Sequence, residues 1–460
     1  MTTVAPPAPP EPGESGHGSR TSRLPDLVLA LALATVALLH LWPGITDTPF
    51  HRDEARWVAN AALLREWRHP LGPRWQDEGY PNHYGSLDEL NRRRAQPPLA
   101  MYVLGLGLLV QGQGLPNTGY WIMSQDQQWN IDHGNKPSPS LLHAARRVNV
   151  VIAALTVLAL YAIGAMAVNR IGGVTAGLLY ALHPIVLDTS TRAWADPLFV
   201  LLVALSALAG YALAKQPTWG RAVLLGLFLG LGGATKLSPL VLAAAIGGFG
   251  LVVLAWTLVF RPARTPDLRG FAWKLIAAPA FAYAAFVAVY PYLWTAPISH
   301  TWRLFDFRAD SFRLQGDAFP PADVPNRIDA LRRTRDSIGE NNGVGAVLAN
   351  WLHGTLSLPN WTWLHNLDLT LALIGLALLI DLFLRRGPLA PPVFMVGTVC
   401  AQALLVIMSM GVAYPRYFLP IELAAATLAA LAVGSLCALI APKRSGGGSS
   451  PPRSRGEPCG

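Results

Sequence analysis

Three carboxylates of this 460-residue chain stand where they could take a proton from a hydroxyl. Asp53 and Glu54 lie in "TDTPFHRDEARWVANAALLREW" (Thr46–Trp67), directly after the first long apolar run, and Asp196 lies in "LHPIVLDTSTRAWADPLFVLL" (Leu182–Leu202). On a helix beginning near Asp53, that residue shares a face with Arg56, Trp57 and Asn60, whereas Glu54 points about 100° away. The two adjacent acids would therefore do different jobs. A carboxylate among guanidinium groups suits a general base whose substrate expels an anion. The plain alternatives are a helix cap for Asp53, with Arg56 as a local ion-pair partner, and a helix start for Asp196, which precedes a proline. His183 has the side chain for a metal ligand, although a lone histidine at a membrane-helix end is more often only hydrogen-bonded.

The cations that could hold a phosphate are Arg56, Arg92 and Arg93 within "NRRR", Arg146, Arg147 and Lys236. Lys236 ends "GLGGATK", which superficially matches a phosphate-binding loop. No glycine precedes the lysine and no strand precedes the glycines, so those glycines read as small residues for close helix packing.

The composition, 52% hydrophobic and 14% charged, comes with repeated apolar segments of about 20 residues, the length that crosses a hydrocarbon core of about 30 Å. The chain reads as an all-α polytopic membrane protein with about ten transmembrane helices, near 24–43, 146–168, 172–191, 194–214, 221–236, 238–260, 271–293, 366–384, 390–411 and 417–441. The block 97–112 has an apolar part of about 14 residues, which suits an interfacial or re-entrant helix better than a span. If it does not cross, Arg23, Arg170, Lys215, Arg221, Arg269, Lys274, Arg385 and Arg386 all fall on one side, as the positive-inside bias requires. Two long loops, about 44–145 and 294–365, then lie outside the cytoplasm, carrying interfacial helices. Arg146, Arg147 and Lys236 sit at outer helix ends, against the bias. The termini, 1–22 and 443–460, are rich in Pro, Gly and Ser and read as disordered cytoplasmic tails around a membrane domain at 23–442. The run 24–42 is too long for a signal-peptide core and reads as a retained first span. The net charge of +9 maps orientation, which argues against a nucleic-acid partner. The three cysteines, Cys400, Cys437 and Cys459, have no metal-ligand spacing and build no disulfide framework.

In order, the blocks "RDEARWVANAALLREW", "QPPLAMYVLGLGLLV", "ARRVNVVIAALTVLALYAIGAMAVNRIGGVTAGLLYALHPIVLDTSTRAWADPLFVLL", "GLFLGLGGATKLSPLVL" and "YPRYFLPIELAAATLAAL" resemble the membrane glycosyltransferases that include the protein O-mannosyltransferases and the lipid A aminoarabinose transferases. The resemblance covers roughly 24–440. It implies a C-type glycosyltransferase fold and a sugar donor linked to polyprenyl phosphate. It also implies an active site on the outer face of the membrane, with Asp53 as catalytic base and Asp196 as second acid; the composition, with five Lys among 36 basic residues and abundant Ala, Gly and Leu, points to a bacterial plasma membrane. Glu54 stands beside them, and a divalent cation stays open as cofactor. One position departs from the pattern: where the relatives carry lysine or histidine before Pro-Pro-Leu, this chain has Gln96, with Arg92–Arg94 nearby as substitutes. The acceptor is a hydroxyl compound of unspecified class. A polytopic lipid or glycolipid transporter or flippase is the rival reading, because broken helices and intramembrane polar groups also mark transport routes. Against it, no internal duplication is visible, and the charges cluster in the two external loops.

The sidedness is testable. In a cysteine-free background with any outer barrier removed, cysteines at Gly79 and Asn117 should both label with an impermeant thiol reagent in intact cells. Protection of position 117 alone would show that 97–112 spans.

Overall fold

The computed structural model describes residues 24–76, 96–260, 265–339, 343–359 and 361–440. The two tails, Gly79 and Arg92–Arg94 lie outside the described residues. The regular structure of the described residues is helical, with one isolated antiparallel bridge, Asp323 to Val412. The membrane bundle comprises α1 (Leu24–Leu41), α4 (Pro139–Ala167), α5 (Arg170–Leu182), α6 (Pro184–Ser190), α7 (Asp196–Lys215), α8 (Trp219–Gly233), α9 (Ser238–Phe260), α10 (Thr265–Ala288), α14 (Leu367–Arg386), α15 (Pro391–Ser409) and α16 (Leu419–Ile440). The two long segments between bundle helices supply α2 (Arg52–Asn60), α3 (Leu99–Val110), α11 (Pro297–Ala318), α12 (Arg327–Ile338) and α13 (Val344–Leu356).

All ten apolar segments read from the sequence are helical. Among the described residues, eight helices are long and apolar enough to cross a membrane, or nine if α5 and α6, bent by 61°, count as one broken span. The bend falls at His183-Pro184: proline cannot donate to the preceding turn, and His183 restarts the helix by accepting the Ile185 N–H on Nδ1 at 3.2 Å. α4 begins at Pro139, earlier than its apolar run, because Ser138 caps it and proline suits the first helical position. α3 has 12 residues, about 18 Å of helix, which is short of a crossing.

Without water in the bilayer, bundle helices hold together by close packing. The glycines of α8 serve that purpose, since a Cβ at Gly230 would stand 2.2 Å from the Ala282 carbonyl oxygen of α10. Gly375 of α14 does the same against α16, where a Cβ would meet the Leu428 carbonyl at 1.9 Å. One buried cluster joins α1, α4, α5, α7, α15 and α16, and a second joins α7 through α10. Between them, one end of the bundle brings together the starts of α7 and α16, the α8–α9 junction, the end of α15 and the helices α2 and α11 from the two long segments.

Candidate active site

α2 places the adjacent carboxylates in opposite surroundings. His51 caps this helix: its Nδ1 accepts the Asp53 N–H at 3.1 Å, and Glu54 closes the capping box by accepting the His51 N–H at 3.0 Å. The cap is thus not Asp53, whose side chain is released for other contacts. Glu54 is completely buried. Arg146 of α4 grips it with both Nε and Nη2 at 2.8 Å, and the Ala193 N–H donates to it at 3.0 Å. The same guanidinium donates to the carbonyls of Ile45, Thr48 and Pro49. This fork ties the chain before α2 to α4 and to the turn before α7.

Asp53 instead faces a cavity of about 460 Å³, with 22% of its side chain exposed. Arg416, just before α16, donates to Asp53 Oδ2 at 2.5 Å. Burial alone would raise the Asp53 pKa, but the Arg416 charge and hydrogen bond outweigh it and hold the carboxyl below its usual range. His51, 3.9 Å from the same oxygen, is shifted down by burial against the pull of Asp53, which suits a neutral imidazole accepting on Nδ1. Asp196 lines the same cavity from the first residue of α7, behind Ala195, which makes no side-chain cap. Lys236, from the α8–α9 junction, donates to Asp196 Oδ1 at 2.5 Å and lies 4.8 Å from the Tyr417 ring centroid. Arg308 of α11 donates to Tyr417 Oη at 3.0 Å, and Arg56 donates to the Trp121 carbonyl at 3.2 Å while lying over the Tyr120 ring. Both arginines line the cavity with Gln96.

A second cavity of about 630 Å³ shares Asp53, Arg56, Gln96, Arg308, Gln315 and Arg416 with the first. Asp53 therefore stands where two chambers adjoin. The first has an apolar flank of Val241, Leu405, Val406 and Met410, with Val241 exposed on the bundle surface; the second is walled by His51, Trp194, Phe319 and Tyr414.

Residues 136–290 match the family model described as dolichyl-phosphate-mannose-protein mannosyltransferase. The structure is similar to the Archaeoglobus fulgidus oligosaccharyltransferase tethered with an acceptor peptide, at 12% identity and TM-score 0.50, covering 91% of this chain and 50% of that one. The chain has the C-type glycosyltransferase fold. Weaker similarities within this fold are to ArnT from Cupriavidus metallidurans bound to undecaprenyl phosphate (15% identity, TM-score 0.45, 90% of this chain and 60% of that one) and to the S. cerevisiae Pmt1-Pmt2 complex bound to the sugar donor (15% identity, TM-score 0.40, 59% and 34%). The chain spans between about a third and three fifths of the length of the solved structures it matches. No curated protein sequence matches it significantly. The resemblance read from the sequence is borne out at the level of the fold.

Of the sequence-derived candidates, Asp53, Asp196, Arg56 and Lys236 line one cavity of this C-type fold. Glu54 and Arg146 form the buried pair behind it, away from either cavity. Arg147 is exposed and donates to Gln111 at 3.2 Å, and Arg92 and Arg93 lie outside the described residues. His183 is buried between α5 and α6, and among the described residues no three His, Cys, Asp or Glu side chains converge as a metal site. The sequence reading did not single out Arg416, Tyr417 or Arg308 for the site. The signal was present in "YPRYFLP", where Arg416 is, with Lys236, one of the few cations in the short loops that the charge bias assigns to the outer side.

Arg146→Met should strand a buried Glu54 charge and cost about 3–5 kcal/mol, seen as lost monodisperse protein or a large fall in melting temperature. Arg147→Gln, on the exposed neighbour, should stay within about 0.5 kcal/mol of wild type. Equal effects of the two changes would remove the buried pair from its structural role.

Proposed function

We propose that the protein is a glycosyltransferase that moves a sugar from a polyprenyl-phosphate carrier to a hydroxyl acceptor. The site lies on the face of the membrane where 44–145 and 294–365 emerge, which we place outside the cytoplasm of a bacterial plasma membrane. The observation that carries this reading is the inner cavity, which sets Asp53 and Asp196 against Arg56, Lys236, Arg308 and Arg416. An excess of basic groups beside an apolar, bilayer-facing flank fits a lipid whose head is a phosphate. The match of 136–290 to a mannosyltransferase model supports an isoprenoid-phosphate sugar as that lipid.

With the sugar's anomeric carbon in the inner chamber and the acceptor in the outer one, Asp53 lies between the reactants. The acceptor oxygen attacks the anomeric carbon from the side opposite the phosphate, and Asp53 takes the hydroxyl proton. The bond from carbon to phosphate oxygen breaks, its electron pair leaves on the phosphate, and the configuration inverts. Arg56, Arg308, Arg416 and Lys236 stabilise the departing charge, helped by the Tyr417 hydroxyl. Arg416 has a further part: a donor phosphate that draws it away from Asp53 would leave the carboxylate a stronger base at the moment of need. Asp196 holds Lys236 toward the cavity, and Glu54 with Arg146 sets the angle of α2. Both cavity carboxylates are already ion-paired, which suits them poorly as ligands of a divalent cation.

Asp53→Asn should yield folded, donor-binding protein that transfers no radiolabelled sugar in detergent, because an amide keeps the shape but cannot take the proton. Removing a general base typically costs about 10²–10⁴-fold, so retention of more than about a tenth of turnover would transfer the role to Asp196. In reconstituted vesicles, lipid movement without sugar transfer would favour a flippase instead.

The acid limb follows from the lowered Asp53 pKa. Wild-type kcat/KM, which reports the free enzyme, should stay flat through neutral pH and fall only below the ordinary carboxylate range. The Asp53–Arg416 pair likewise contributes stability at neutral pH and loses it as pH falls through the lowered value. An acid limb in the histidine range, absent in a His51→Gln variant, would make His51 the base.

A further inference from the structure

Away from the reaction cavity, four buried polar side chains converge where α5 bends into α6. Tyr180 and His183 come from that bend, Asp368 from the first turn of α14 and Glu422 from the first turn of α16. They surround a small cavity of about 10 Å³, completed by Leu179, Ala425 and Ala426. All four are less than 5% exposed: Tyr180 1%, His183 3%, Glu422 3% and Asp368 4%.

Their polar atoms are incompletely matched to one another. Tyr180 Oη, Glu422 Oε1 and Asp368 Oδ1 have no hydrogen-bond partner. His183 Nε2 lies 3.1 Å from Glu422 Oε2, but without the alignment of a hydrogen bond. The other Asp368 oxygen accepts the Gly345 N–H at 3.1 Å, at the start of α13. Buried polar groups almost always find a partner, from protein or from ordered water. Here the unmatched set includes one hydroxyl that must donate and two carboxyl oxygens that can accept. A water molecule, with two protons and two lone pairs, complements that set, and the space matches the roughly 10–15 Å³ that one water needs.

We propose that a single buried water occupies this site, accepting from Tyr180 O–H and donating to Glu422 Oε1 and Asp368 Oδ1. It links α5, α14 and α16 and, through Asp368, the external helix α13. The site lies six residues along the chain from Arg416, so it fastens the external layer to the helix start that carries the reaction cavity's arginine.

The experiment compares wild type with Tyr180→Phe in lipid nanodiscs, by melting temperature and by cryo-electron microscopy at a resolution that shows ordered water. A bound water predicts one density peak within hydrogen-bonding distance of all three atoms, and a Tyr180→Phe variant melting about 1–2 °C lower. A dry site predicts no peak, with the variant melting at or above wild type because an unpartnered buried hydroxyl has been removed. That result would overturn the proposal. Melting that depends on sodium as against choline would also overturn it, by assigning the peak to a cation. Should the variant not fold, the wild-type map and its salt dependence decide the matter.

Discussion

A charge at the edge of a bilayer must find its partner within the protein, and the fork between Glu54 and Arg146 meets that demand most completely. Both side chains are shut off from solvent, and their remaining hydrogen-bonding capacity is spent on backbone from the two stretches that flank the site. Breaking such a pair is costly, since either charge alone would be stranded. The angle at which α2 leaves the membrane is therefore fixed, and with it the direction in which the next carboxylate points.

Asp53 depends on that fixture. Neighbouring side chains on a helix diverge by about 100°, so anchoring Glu54 inward turns Asp53 toward the cavity. Its partner, Arg416, arrives from 363 residues away in sequence. The second pair, Asp196 with Lys236, joins the first residue of α7 to the α8–α9 junction in the same way. Two ion pairs thus hold four elements around one cavity, and each leaves a cation near space that an anionic ligand can enter. A site arranged so is preorganised for an anionic group, because its cations are in place before the ligand arrives.

Much of this was legible in the chain itself. Twenty-residue apolar runs can only be satisfied as helices in lipid, which gave the fold class and every segment of the bundle. Helical spacing separated Asp53 from Glu54, and the charge bias singled out Arg146 and Lys236 as exceptional. The length of 97–112 limited it to a helix too short to cross. The family resemblance supplied the order of the motifs and, with them, the fold.

What the chain could not disclose was which charge partners which. Arg146 reads from sequence as a cation waiting for a phosphate, yet its donors are all engaged by Glu54 and three carbonyls. Arg416 and Arg308 look like incidental loop charges until the packing of α11 and α16 brings them to Asp53 and Tyr417. Local spacing constrains contacts over one or two turns, whereas an ion pair across hundreds of residues is set by how the helices pack, and no periodicity encodes it. The sequence by itself determined the helices, their lengths and the acids that could do chemistry. Only the tertiary structure decided that Glu54 is walled in while Asp53 stays open, because burial belongs to the packed bundle and not to the residue.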